Sequence, residues 1–202
     1  MSIPTSRRRP TRDEVRRALL DAAAQVFARR GIEAASMDEV AAAAGFTKGA
    51  LYSNFSSKNA LVEELADDHV SAYVELGLAA IANTEQPLSA QARALGDRLT
   101  RAMDENHDWN LLFVELWARA VRQGDPDGSF LRRRRDLHRI IADTVAEHSR
   151  LAGVELAMPA DEVATLLMAL ANGLAIERNV APGAVAPDLL GRALALFVRP
   201  VG

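Results

Sequence analysis

Between Gly45 and Lys58 the chain reads GFTKGALYSNFSSK, a stretch crowded with hydrogen-bonding side chains. On a short helix Leu51 and Phe55 fall on one side. Thr47, Lys48, Ala50, Ser53 and Asn54 then fall on the other, with Tyr52 at the edge. Lys48 on such a face can donate to guanine acceptors or to phosphate, and Thr47 and Ala50 suit contact with a thymine methyl. Gly49 costs roughly 1 kcal/mol against alanine inside a helix. A residue with no side chain there is useful where the backbone must approach another surface closely. Tyr52 and Lys58 are placed to flank a groove on phosphate. Ser57-Lys58 and Ser36 mark further helix starts, whose free N–H groups and dipoles favour anions. The chemistry offered is recognition of a polyanion.

Catalytic chemistry is not offered. The absence of cysteine excludes disulfides, thiolate zinc sites and cysteine nucleophiles. Neither GxSxG nor GxxxxGK[ST] occurs. A helical di-metal enzyme would use Glu-x-x-His pairs, and only Asp104-x-x-His107 comes near that pattern. His107, His138 and His148 lack HxxxH or ExxH spacing and read as solvent or packing residues. No enzyme activity, cofactor or metal is expected.

The net charge of −3 conceals an asymmetry. Residues 1–58 carry ten Lys and Arg against six Asp and Glu, whereas residues 59–202 carry fourteen against twenty-one. A basic head on an acidic body fits a protein whose head alone meets a polyanion, although Arg7, Arg8 and Arg9 supply three of those charges. The N-terminus lacks the apolar stretch of a signal peptide. No apolar run approaches the roughly 20 residues needed to cross a bilayer. A soluble cytoplasmic protein is expected, with no membrane partner.

The elements that must position these residues read as helices throughout, because Ala and Leu dominate and strand-like alternation is scarce. Thr11-Arg12-Asp13-Glu14 and Ser36-Met37-Asp38-Glu39 fit capping boxes. The first opens a helix stopped by Gly31, with Leu19, Ala22, Ala23, Val26 and Phe27 facing inward. The second opens a short helix with Met37, Val40, Ala41 and Ala44 inward. Gly45-Phe46 turns the chain and Thr47 caps a third helix. Ser56 and Ser57 cap a fourth, from about 58 to 82. A break at Asn83 to Pro87 follows, then helices near 88–106, 109–123, 127–152, 160–179 and 187–198. The breaks between these fall at Gly124-Asp125-Pro126, Gly153, Pro159, Pro182-Gly183 and Pro187.

Three short helices with a tight turn before the third form a helix-turn-helix, whose last helix enters the major groove. The run from Ile32 to Ala41, the run from Ala44 to Phe55, and Ser57-Lys58 with Leu61 resemble the DNA-binding signature of the TetR family of transcriptional regulators. The resemblance covers roughly residues 13–65. It departs mildly at Phe46, where a smaller aliphatic is commoner, and at Asn59, where an acid is commoner. It implies a nine-helix all-α fold, divided into an N-terminal arm and helix-turn-helix domain at 1–57 and a ligand-binding and dimerisation domain at 58–202. It also implies a homodimer on a palindromic operator in double-stranded DNA, usually a repressor released by a small-molecule effector. The DNA-contact set is Ser36, Thr47, Lys48, Gly49, Ala50, Tyr52, Ser53, Asn54 and Lys58.

Past residue 66 the resemblance supplies architecture rather than chemistry. It implies dimerisation through the last two long helices. Val163, Leu166, Leu167, Leu170, Ala171 and Leu174 form a broad apolar stripe there, with Ala169 and Gly173 small enough for close approach. Leu189, Leu190, Ala193, Leu194, Leu196 and Phe197 make the last helix equally apolar. A ligand cavity is implied among helices five to eight. Both tryptophans lie in one helix with Phe113, giving Trp109, Phe113 and Trp117 at four-residue spacing. That stripe is either core or cavity wall. Met103 and Asn172 are further candidates for a mainly apolar ligand. Arg132 to Arg135 wrap a helix, so surface ion pairing is expected of them.

Overall fold

The computed structural model describes residues 10–81, 86–123 and 128–199. The basic tail at Arg7 to Arg9 and the breaks at 83–85 and 124–126 lie outside these residues. Nine helices run through the described residues: α1 Arg12–Arg30, α2 Met37–Ala43, α3 Lys48–Asn54, α4 Lys58–Ile81, α5 Leu88–Glu105, α6 His107–Gln123, α7 Ser129–Ala152, α8 Ala160–Val180 and α9 Leu189–Ala195. The all-α expectation holds. One small addition is an antiparallel pair, β1 Glu155–Leu156 with β2 Val198–Arg199.

The chain divides into two compact units, Met1–Leu65 and Ala66–Gly202. The division falls inside α4, later than the sequence boundary between 57 and 58. The reason lies in the first turns of α4, where Leu61, Val62 and Leu65 are buried and Glu64 is bound by Arg16 of α1.

In the first unit the caps form as the sequence reads. Thr11 and Ser36 each complete a capping box with the glutamate three residues on. Gly31 ends α1 and Gly45 makes the α2–α3 turn, both at positive φ (79° and 73°), a conformation costly for residues with a Cβ. Leu19, Phe27, Ile32, Val40, Leu51 and Leu61 are almost fully buried and form the core that holds α3. Arg16 fixes the far end of α3. Its Nε donates to Glu64 Oε1 at 2.6 Å and its Nη1 to the Asn54 carbonyl at 3.0 Å. Its guanidinium also lies 4.6 Å from the centre of the Phe55 ring.

In the second unit α9 packs against α5 through backbone contact. A Cβ added at Gly96 would come within 2.3 Å of Gly191, so glycine at both positions permits the crossing. Leu190 and Leu194 of α9 join Leu99, Met103 and Ala175 in one buried cluster. α9 ends at Ala195 rather than near 198, because the chain beyond Leu196 is drawn out into the β pair, where Ala157 N donates to the Phe197 carbonyl. Asn106 alone separates α5 from α6, its amide capping the Ala102 carbonyl at 2.7 Å.

Candidate functional site

The face of α3 is built by its cap and its core anchors. Thr47 Oγ1 accepts from Ala50 N at 3.2 Å and sets the first turn. Leu51 and Phe55 are buried, which turns Thr47, Lys48, Gly49, Tyr52 and Ser53 outward, with Ala50 half-buried beside them. A Cβ at Gly49 would meet only Thr47 Oγ1, at 3.8 Å, so the backbone there is open to close approach. Lys48 Nζ pairs with Asp38 Oδ1 at 2.9 Å, and that hydrogen bond and charge raise its pKa. Both groups are largely solvated, so the pair is easily exchanged for another anion.

Three residues of the expected contact set are occupied elsewhere. Lys58 Nζ donates to the carbonyls of Ile32, Glu33 and Ala35 at 2.8, 3.0 and 3.2 Å. An ammonium has three donors, and all three are used. Lys58 thus clasps the start of α4 to the α1–α2 connection through all three donors. Ser36 is similarly engaged. Its Oγ accepts from Glu39 N and donates to Glu39 Oε2, and the Glu39 carboxylate takes the Ser36 N–H at 2.7 Å. The anion at this helix start is Glu39 itself, held below its usual pKa by the Ser36 backbone and hydroxyl and by Arg30. Asn54 turns back along α3, its Nδ2 donating to the Ala50 carbonyl at 2.8 Å.

A second candidate site lies within the unit Ala66–Gly202. A cavity of about 200 Å³ opens among α4, α5, α6, α7 and α8. Met103, Trp109, Phe113 and Asn172 line it, as the sequence reading named them, but Trp117 does not. Four-residue spacing drifts about 40° per step around a helix. Trp117 therefore lies outside the wall, 39% exposed, edge-on to Phe130 and beneath the Arg134 guanidinium at 4.3 Å.

Among the lining residues that escaped the sequence reading, three are ionisable. His69 and Tyr73 come from α4, where their spacing of four was the only available signal. His69 stacks on Trp109 with centroids 3.9 Å apart, and its buried Nε2 has no partner. Burial pushes its pKa down to about 3, so the ring is neutral, and pushes Tyr73 up to about 12. The third is Arg134, one of the four consecutive arginines. Ion pairing does hold Arg133, whose Nη2 donates to Asp67 at 2.6 Å, but Arg134 turns toward the cavity. Among the described residues no three His, Asp or Glu side chains cluster as metal ligands.

The apolar surface of α8 divides in two. Val163 is buried, and Leu167, Leu170, Ala171 and Leu174 pack toward the chain's own core, so the expected dimer stripe is largely intramolecular. Leu166, Ala169, Gly173, Ile176 and Val180 are exposed at alternating three- and four-residue spacing, and a Cβ at Gly173 would meet open space. No helix among the described residues is long and apolar enough to cross a membrane.

Comparison with known proteins agrees with this arrangement. Residues 19–65 match the model of the tetR family of bacterial regulatory proteins. The HTH-type transcriptional repressor KstR2 of Rhodococcus jostii is 31% identical over 55% of this chain and 66% of its own length. The HTH-type transcriptional activator FasR of Mycolicibacterium smegmatis is 42% identical over 43% of this chain and 41% of its own. The chain thus spans less than two thirds of these curated relatives. Over the whole fold, a solved transcriptional regulator from Rhodococcus sp. Rha1 superposes with a TM-score of 0.69 at 24% identity, covering 90% of this chain and 92% of that one. Residues 19–65, with the capped helix α3 inside them, thus match the DNA-binding segment of the TetR family, and the nine-helix architecture is shared with this solved transcriptional regulator.

Proposed function

We propose that the chain is a cytoplasmic transcriptional repressor that binds a palindromic operator as a homodimer and releases it on binding a small, mainly apolar effector. The observation that carries this reading is the outward set Thr47, Lys48, Gly49, Tyr52 and Ser53 on a seven-residue helix behind the Gly45 turn, within the family-matched segment. Lys48 and Ser53 are suited to base edges or phosphates, and Gly49 lets the helix sit deep in the groove. Repression is supported by the likeness to KstR2 of Rhodococcus jostii, which is named a repressor. The homodimer rests on the exposed line Leu166, Ala169, Gly173, Ile176 and Val180, which suits a second copy of α8 packed closely across a two-fold axis.

Effector release requires that ligand bind better to the conformer whose two recognition helices are mis-spaced for the operator. A hundredfold loss of operator affinity corresponds to a coupling of about 2.7 kcal/mol. Helix α4 suits this role, since it starts at Lys58 and contributes His69 and Tyr73 to the cavity wall. The test is a gel shift on the duplex upstream of the chain's own coding region, at low and moderate salt, paired with a reporter driven by that duplex. Retarded DNA and higher reporter output on deleting the gene support a repressor. Absence of a shift, or lower output on deletion, contradicts it.

A further inference from the structure

The cavity carries one formal charge without a counter-charge. No aspartate or glutamate is among its described lining residues, whereas Arg134 is. Arg134 is half-buried, and among the described residues it makes no ion pair, in contrast to Arg133 with Asp67. One face of its guanidinium is covered by Trp117 at 4.3 Å. Stacking uses the face of the plane and leaves the N–H fork at its edge free, which is the part that matches a carboxylate. Burial already weighs on this charge, lowering the pKa of Arg134. An anion arriving at the fork would relieve that cost.

The rest of the wall describes the rest of the ligand. Trp109 and Phe113 are aromatic neighbours, the α7 and α8 sides are mainly aliphatic, and Thr144 and Asn172 are the uncharged polar groups on those sides. A mainly apolar cavity of about 200 Å³ suits a small ligand body, such as one ring with a short alkyl chain. We propose that the effector is an amphipathic monoanion, an apolar body ending in a carboxylate that Arg134 clamps. This rests on the effector reading above and adds the ligand's chemical class to it.

Three probes with one body and different heads test the proposal: phenylbutyrate, phenylbutanol and phenylbutylamine, titrated by calorimetry into the full chain. The acid is expected to bind about tenfold or more tighter than the alcohol, as fits a charge-assisted clamp, with the amine weakest. Arg134→Met should abolish the acid's advantage while leaving the alcohol within about threefold of its wild-type affinity. Arg134→Lys should keep part of that advantage, having the charge without the fork. Equal binding of acid and alcohol by the wild type overturns the proposal, as does failure of the acid to bind, or an undiminished preference in Arg134→Met. Should Arg134→Met not fold, the wild-type comparison and Arg134→Lys still decide. Operator binding is measured separately on the same preparation. A chain that shifts DNA without preferring the acid loses only this inference, whereas one that prefers the acid without shifting DNA loses the regulator reading.

Discussion

Replacing Lys58 by methionine keeps the aliphatic stem and removes only the ammonium, so it isolates the clasp on the α1–α2 connection. The wild-type ammonium donates three hydrogen bonds, and the carbonyls receiving them belong to residues that include Ile32 and Ala35, both buried. Hydrogen bonds to a charged group contribute roughly 1.5–3 kcal/mol net, and water reaching a half-exposed site recovers part of that, leaving about 2 kcal/mol. Such a loss raises the local opening constant about thirtyfold. Amide hydrogen exchange of the full chain should therefore show residues 31–44 losing protection by about that factor, with a lower urea midpoint. A phosphate contact makes a different prediction: the salt slope of non-specific DNA binding falls by about one unit and the exchange is unchanged. That second pattern would refute the clasp.

Gly173→Arg places a charge in the middle of the exposed α8 line, where a Cβ meets nothing. It should give a folded monomer by sedimentation, whereas Leu170→Arg should lower stability because Leu170 packs on the core; a Gly173→Arg dimer would discard the assigned interface. His69 protonates near pH 6.5 when unfolded but only at about 3 when buried beside Trp109. Its neutral form thus supports the fold above that window, and stability is lost as pH falls from 6.5, by about 1.5 kcal/mol at pH 5. His69→Phe should remove that share of the slope, and identical urea stabilities against pH in the two proteins would deny it.

Local signals were legible and long-range ones were not. Caps and turns act within four residues, so Thr11, Ser36, Thr47 and Gly45 set the first three helices, and burial of Leu51 and Phe55 fixed which side of α3 faces outward. The clasp made by Lys58 was not legible because its partners lie more than twenty residues earlier, and nothing local distinguishes a long cation reaching for phosphate from one reaching for carbonyls. The arginine run posed a rotational question. Four consecutive residues point four ways, and which one meets the cavity depends on how α7 is rolled. Helix α8 is apolar on more than one side, so its pattern could not separate the residues packed inward from the exposed line through Leu166 and Gly173. The tight crossing of Gly96 and Gly191 likewise joins residues far apart in sequence, so the apolar pattern of α9 does not reveal that Leu190 and Leu194 enter the chain's own core.

The claim at the centre is that α3 reads DNA sequence through the residues it turns outward. Selection from a pool of duplexes with a randomised central segment, using the full chain, tests it most directly. The wild type should enrich a two-fold symmetric sequence, and Lys48→Ala should change the bases chosen at symmetric positions while the spacing between half-sites stays the same. Enrichment of no sequence, or of one unaltered by Lys48→Ala and Tyr52→Ala together, would contradict the account.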